Sequence, residues 1–543
     1  RPPCPGGPKP LAGCLRHKCC SEEGFRCYEK DSTYAQCRRS CAPGLHADDD
    51  ATHRTPWSCA VLWPKAPLRP NPPLPLPVRR RATNPIVIRG RFLYDSVTGK
   101  RFFAKGVTYN PRFVTYDKVR WPKSNACAAG APKYAELAYD ADAATDDLEA
   151  RWQEHLEVVA KLGANVVRLY NIDPQKPHGK FMEAAAALGL YVIVPLTRKE
   201  WGFLPAFPSP DCYERDIEDY GNVGENLLTS AKLIVKQFSQ WRNTLMFVVA
   251  NELPLLDHNG YSAFPCVKAL ARDIHRYQAS CAGSMRRVPL IYSGEDQDTP
   301  DRRIIGEYLS CALESEDDAV DAFGLNVYSW CEESYYDDEG RESFEVSPYY
   351  GLVKDFAAFP DPLLFTEFGC IIGAFQMMCP YLGGRTWKQV RTVFENMTGI
   401  LSGLVAYEFS MEESPTNFGL ALTPGFLEGQ PALYLLDTFY ALREQYLRYN
   451  LRADWDGANI SDCAWRPSGT RPAAGVRQRA ECPSQQVAAA LQRRRNVSKV
   501  SDWSVLPATP DAPLIRVEGQ PECPVDTVSQ LELLEACCHM HCP

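Results

Sequence analysis

The stretch Leu363-Leu364-Phe365-Thr366-Glu367-Phe368-Gly369-Cys370 is an apolar run that stops at one carboxylate and a glycine. Upstream, Leu245-Met246-Phe247-Val248-Val249-Ala250-Asn251-Glu252 has the same design, with Asn placed before the acid. A buried strand that delivers a lone acid at its C-terminal end is how a parallel barrel presents a catalytic group. Two such acids fit cleavage of a glycosidic bond, which takes one carboxyl as acid/base and the other as nucleophile or base.

Working outward, the pattern from Ile86 alternates apolar strands with amphipathic helices, the signature of repeated βα units. Strands are predicted at Phe102–Tyr109, Asn165–Tyr170, Tyr191–Val194, Leu245–Ala250, Val288–Tyr292, Ala322–Val327, Leu363–Thr366 and Leu404–Phe409. Helices are predicted between them, near 145–162, 178–188, 225–241, 264–280, 301–313, 347–357 and 386–399. The fold class expected is α/β, a (β/α)8 TIM barrel over residues 86–447 with N- and C-terminal disulfide-rich modules. Glu252 then ends strand four and Glu367 ends strand seven, facing each other across the mouth. Their separation decides stereochemistry: about 5–5.5 Å gives retention and about 6.5–9.5 Å inversion.

The chain has 543 residues, enough for such a barrel and appended modules, and 45% of them are hydrophobic, as in a globular protein. A formal net charge of −8 argues against a nucleic-acid partner and is compatible with a neutral ligand such as a glycan. No apolar run is long enough for a membrane span. Of the 22 cysteines, eight lie within 4–59, eight within 127–379 and six within 463–542. Even numbers in compact segments read as disulfide frameworks made in an oxidising compartment. Three sequons, at Asn396, Asn459 and Asn496, agree with secretion. The start at Arg1 without an apolar leader reads as a processed chain or one lacking its signal peptide. The C-terminal residues lack the hydrophobic tail of a GPI signal, so an anchor is expected only if that tail has been removed.

Residues 1–62 are poor in large aliphatics, so disulfides must staple them. Their aromatics Tyr28, Tyr34 and Trp57 either stack on sugar rings, making this a carbohydrate-binding module, or fill a small core. Residues 63–85 are Pro-rich and read as a stiff linker ending in Arg79-Arg80-Arg81, a solvated stretch or a processing site. Residues 448–543 form a Cys-rich extension. Its Cys537-Cys538-His539-Met540-His541-Cys542 imitates a zinc cluster, but the compartment favours disulfides, and no metal or cofactor is expected.

Residues 86 to 445 resemble glycoside hydrolase family 72, the β-1,3-glucanosyltransferases of clan GH-A. The resemblance rests on Gly106-Val107-Thr108-Tyr109, the run Asn165 to Pro174, Ala250-Asn251-Glu252, Val267 to Asp273, Phe323 to Cys331, Thr366 to Cys370, and Tyr407-Glu408-Phe409 through Phe418-Gly419-Leu420, in family order. It implies a secreted or wall-bound retaining enzyme that cleaves a β-1,3-glucan and transfers it to an acceptor glucan. Glu252 resembles the acid/base and Glu367 the nucleophile. Asn251 would bond the sugar 2-hydroxyl, Tyr328 the nucleophile, and Tyr170, Tyr407 and Trp330 would line the subsites, with core packing the alternative for Trp330. Arg168 would add a positive field near Glu367, and Cys331 would pair with Cys370.

The chain departs from the family in two places of the barrel, and its C-terminal cysteine pattern does not read as the family-43 glucan-binding module that some relatives carry. Val194-Pro195-Leu196 stands where Leu-Asp-Leu is usual, and Asn110 stands where Gln is frequent and is assigned to substrate binding. The partner expected is a polysaccharide, a β-glucan serving as donor and acceptor of a monomeric enzyme. A hydrolase of another β-glycan and a non-catalytic wall glycan-binding protein are the alternatives. Retention of both acids weighs against the latter.

Overall fold

The computed structural model describes residues 9–14, 20–22, 24–31, 34–47, 49, 54–59 and 61–62 near the N-terminus. Beyond them it describes 83–111, 142–197, 212–213, 227–253, 263–296, 301–330, 335–339, 341–369, 385–410, 418–423, 433–451 and Cys482. Eight parallel strands close into a barrel: β1 (Ala104–Thr108), β2 (Val166–Arg168), β3 (Tyr191–Pro195), β4 (Thr244–Asn251), β5 (Leu290–Glu295), β6 (Ala322–Val327), β7 (Leu363–Phe368) and β8 (Leu401–Ala406). Among the described residues, seven helices fill the crossovers, α1 (Glu149–Leu162), α2 (Gly179–Ala187), α3 (Leu227–Phe238), α4 (Phe264–Ser280), α5 (Asp301–Ser310), α6 (Pro348–Asp355) and α7 (Lys388–Asn396). An eighth, α8 (Asp437–Arg448), follows the last strand and packs on α1. It completes the ring beyond the seven helices predicted between strands.

Every residue of β6, β7 and β8 is buried, as strands covered on both faces require. One set of their side chains meets the helices in the main core. The other fills the barrel interior, where Val166, Ile193, Met246, Val248, Ile291, Leu364 and Val405 pack together. Ile86 and Leu93 join that inner cluster from a small antiparallel sheet, Ile86–Arg89, Phe92–Asp95 and Arg101–Phe102, which plugs the N-terminal end. The predicted first strand is therefore divided: Arg101–Phe102 belongs to the plug and Ala104–Thr108 to the barrel. The last strand runs 401–406 instead of 404–409, which releases Tyr407 and Glu408 into the mouth loop. Helix α1 stops at Gly163, whose φ of 89° is the left-handed geometry that terminates helices cheaply only at glycine.

In the N-terminal region, Arg26–Asp31, Tyr34–Arg38 and Val61–Leu62 form a three-stranded sheet held by Cys14–Cys27, Cys20–Cys37 and Cys41–Cys59. Trp57 is buried between the Arg38 guanidinium, 4.2 Å from its ring centre, and the His46 ring stacked at 5.3 Å. Its indole N–H donates to Asp49 at 2.8 Å, so this ring fills a core, as does the buried Tyr28. Between described residues, the bridges Cys212–Cys266 and Cys311–Cys482 brace the barrel region. The expected Cys331–Cys370 pair, Asn459, Asn496, the linker through residue 82 and nearly all of the C-terminal extension lie outside the described residues. No helix among the described residues is long and apolar enough to cross a membrane.

Closure of the ring depends on the β8–β1 seam, where Gly403 lies opposite Ala104. A Cβ at Gly403 would sit 2.4 Å from the Ala104 Cβ and 2.9 Å from its carbonyl oxygen. Gly403→Ala should therefore cost about 1–3 kcal/mol, the range of overpacking, read as a lower urea midpoint. Gly399→Ala, where a new Cβ meets nothing within 4 Å, should leave the midpoint unchanged.

Candidate active site

Strand ends from half the barrel converge on one buried cation. Arg168, the last residue of β2, is 1% exposed. Its Nη1 donates to Glu367 Oε1 at 2.9 Å, to the Thr366 carbonyl at 2.8 Å and to Asn326 Oδ1 at 3.3 Å. Its Nη2 donates to Asn251 Oδ1 at 2.6 Å and to Ser293 Oγ at 3.1 Å. A buried guanidinium is tolerated only with such a set of acceptors, because its desolvation must be offset by hydrogen bonds and an opposite charge. The acceptors come from β4, β5, β6 and β7, so the cation ties these strand ends into one frame.

Glu367 is the penultimate residue of β7 and is 5% exposed. Besides Arg168, its Oε1 accepts from the Tyr170 hydroxyl at 2.6 Å, and its Oε2 accepts from the Tyr328 hydroxyl at 2.7 Å. Burial raises both phenol pKa values well above the ordinary range, so each holds its proton and donates it. Tyr407 stands edge-on to both rings, with centres 6.4 Å from Tyr170 and 6.2 Å from Tyr328. Its loop is held by Arg385, whose Nη1 donates to the Tyr407 carbonyl at 2.9 Å. The three tyrosines wall the nucleophile candidate on the mouth side.

Glu252 immediately follows β4 and has φ 47°, a left-handed conformation costly for a residue with a Cβ. Its amide is held by the Ser293 carbonyl at 2.9 Å, and its Oε1 accepts from Asn326 Nδ2 at 2.8 Å. Burial, and then the charge of Glu367, push its pKa up to about 7, against the lowering pull of Asn326 and Arg168. The two acids thus share one network and differ in environment. Glu367 accepts the cation and two phenols, whereas Glu252 has one amide donor and a repelling neighbour.

Of the residues singled out in the sequence, Arg168, Tyr170, Asn251, Glu252, Tyr328, Glu367 and Tyr407 come together. Asn110 is buried just past β1, next to Tyr109, whose amide bonds the Arg168 carbonyl. Trp330 sits in the main core, 4% exposed, with its ring 4.8 Å from that of Tyr349. Asn396 is exposed at the end of α7, its Nδ2 bonded to the Thr392 carbonyl. Sequence reasoning missed Ser293, Asn326 and Thr366. The Asn326 Oδ1 accepts from Ser293 Oγ at 3.0 Å and from Thr366 Oγ1 at 2.9 Å, while its Nδ2 reaches Glu252. Polar residues inside otherwise apolar strands were the available signal, since buried polar groups need partners.

A family model described as glucanosyltransferase, glycoside hydrolase family 72, matches residues 76–448. The chain is 29% identical over 347 residues to 1,3-beta-glucanosyltransferase gel1 of Aspergillus fumigatus, covering 64% of this chain and 63% of that protein. It is 28% identical over 373 residues to 1,3-beta-glucanosyltransferase GAS2 of Saccharomyces cerevisiae, covering 67% of this chain and 58% of that protein. A crystal structure of Gas2 in complex with a small compound matches with a TM-score of 0.50 and 25% identity, over 68% of this chain and 70% of that one. The chain thus spans somewhat less than two thirds of the curated relatives' length. The match of the family model across the whole barrel shows that the chain belongs to the glucanosyltransferase family, glycoside hydrolase family 72.

Proposed function

We propose that this chain is a secreted, retaining β-1,3-glucanosyltransferase acting in cell-wall remodelling. The observation that carries the reading is the contrast between two carboxyls in one network: Glu367 bonded to a buried guanidinium, and Glu252 with its pKa pushed up to about 7. Glycoside cleavage through a covalent intermediate needs such a division, a charged nucleophile beside an acid that still holds its proton.

The chemistry follows from the donors. Glu367 Oε1 already accepts from Arg168 and Tyr170, whereas Oε2 accepts only from Tyr328 among the described residues. A carboxylate oxygen has about two lone-pair sites, so Oε2 keeps one for attack on the anomeric carbon. Glu252 gives its proton to the departing glycosidic oxygen as that bond breaks. Ester formation then removes the negative charge of Glu367. One cause of the raised Glu252 pKa disappears, and Glu252 becomes the base that takes the proton from an incoming sugar hydroxyl. Asn251, its Oδ1 accepting from Arg168 and Asn326, would bond the sugar 2-hydroxyl through its Nδ2. Transfer in place of hydrolysis requires an acceptor sugar held at high effective molarity. The relatives, named 1,3-beta-glucanosyltransferases, support the linkage and the transfer.

Incubation with reducing-end-labelled laminari-oligosaccharides should give products longer than the substrate, and only shorter products would mean a hydrolase. Glu252→Gln should lower the rate by about 10²–10⁴-fold, the usual contribution of a general acid/base. Glu367→Gln should abolish turnover, and activity surviving there would overturn the nucleophile assignment.

The pH dependence has a definite sign. Because Glu252 must be protonated for the first step, the rate of glycosyl-enzyme formation should fall as pH rises through about 7. A carboxyl whose folded-state pKa is raised contributes stability at low pH that is lost as pH rises through that value. Glu252→Gln should therefore melt higher than wild type at pH 8 and show no such gain at pH 5, as measured by thermal denaturation.

Arg168→Lys keeps the charge, but an ammonium cannot reproduce the planar fork of the guanidinium. It should lower kcat far more than it raises KM, because the hydrogen bonds made by Arg168 hold the reacting groups and not the distal sugars. An unchanged kcat would remove Arg168 from the reading.

A further inference from the structure

After β6 the described residues 335–339 and 341–343 form the two arms of a short hairpin. Tyr336 pairs with Glu342 in an antiparallel bridge, the Ser343 amide donates to the Tyr335 carbonyl at 2.8 Å, and the Asp337 amide donates to the Arg341 carbonyl at 2.9 Å. The Asp337 carboxylate closes the turn. It accepts from the Glu339 amide at 3.0 Å, the Arg341 amide at 2.9 Å and the Arg341 Nε at 3.0 Å. An ion pair from Lys388, the first residue of α7, to Glu342 ties the return strand to the barrel.

Successive side chains of a ribbon alternate between its faces. Tyr335 turns inward and meets the buried Trp330, ring centres 6.4 Å apart. Tyr336 is consequently turned outward and is 61% exposed. In a (β/α)8 barrel the helix N-termini adjoin the mouth. The hairpin touches the start of α7 and runs directly into α6, so it stands on the catalytic rim. Trp330, on which it rests, lies two residues beyond Tyr328, the donor to Glu367.

We propose that Tyr336 is a stacking platform for a pyranose ring of the glucan, beyond the sugars next to the scissile bond. This inference rests on the glucan reading above. A large aromatic ring on a pinned backbone is costly to leave in water and loses little freedom on contact, which suits recognition of a flat, neutral ring. Asp337, Asp338, Glu339, Glu342 and Glu345 in the hairpin and the turn after it outnumber their partners Arg341 and Lys388, which disfavours an anionic ligand and leaves a neutral polymer as the occupant. The 3-10 turn Phe344–Val346 that follows the hairpin adds Phe344, packed on Tyr350 at 5.7 Å, and Val346, 47% exposed, to the apolar rim.

The test compares wild type, Tyr336→Ala and Tyr336→Trp on laminaripentaose and on soluble laminarin. Tyr336→Ala should raise KM for laminarin about three- to tenfold, the worth of one stacked ring. It should leave kcat on laminarin and both constants on laminaripentaose unchanged, and Tyr336→Trp should keep the wild-type KM. An unaltered laminarin KM, or equal losses on both substrates, would overturn the platform. So would a change in oligomeric state of Tyr336→Ala by light scattering, which would assign the ring to a protein contact. Failure of the glucan reading looks different, because wild type itself would then process neither substrate.

Discussion

One buried positive charge organises this site. Taking a guanidinium out of water is expensive, and at Arg168 the expense is offset by a carboxylate, a backbone carbonyl and three polar side chains. None of these partners is local in sequence. They arrive at Arg168 only because the barrel brings the C-terminal ends of β4 to β7 around the end of β2. The arrangement is conditional in both directions: the closed sheet supplies the acceptors, and the cation fixes where the side chains at the strand ends must lie. Among the described residues, Nη2 has only Asn251 and Ser293 as acceptors, so loss of either would leave a desolvated donor and couple β4 and β5 to the cation.

The same cation separates the two acids. Glu367 bonds it directly, with two buried phenols completing its shell, whereas Glu252 reaches it through Asn326 and feels the uncompensated part of the Glu367 charge. Identical side chains therefore sit in opposite environments by position alone. The left-handed backbone at Glu252 belongs to the same logic, since a residue just past β4 must turn sharply to meet Asn326 while its amide stays on Ser293. That strain is sustained because neighbouring strand ends over-determine the turn.

Much of this was legible in the chain. Continuous apolar runs ending in acids locate the strands, and the acid at each end locates the mouth, because burial on both faces leaves few other readings. The centre of the network was not legible. Ser293 and Asn326 are small polar residues whose purpose is set by partners on other strands, far away in sequence, and no periodicity encodes that distance. Trp330 was open between a sugar platform and core packing, and its ring packs against Tyr349 and Tyr335, a contact that only the fold decides. Strand ends shifted by a few residues for a related reason. Gly403 and Ala104 must meet at the seam, and that close approach sets the register of β8 more strictly than local preference does.

The mouth is also uneven around its circumference. Where the family resemblance leads one to expect an acid at the end of β3, Pro195, Leu196 and Thr197 line a small cavity with Ile172, Pro174, Leu227 and Ile234. That sector is mainly apolar and presents no carboxylate among its lining residues. The sector after β6 instead carries the hairpin with its exposed tyrosine and its acidic side chains. Since, among the described residues, the Arg168 network draws on β2 and on β4 to β7 and takes no side-chain contact from β3, a change at Pro195 leaves that network intact. What varies between the sectors is the surface around the mouth, while the frame around Arg168 draws its partners from β4 to β7 and is common to the two acids.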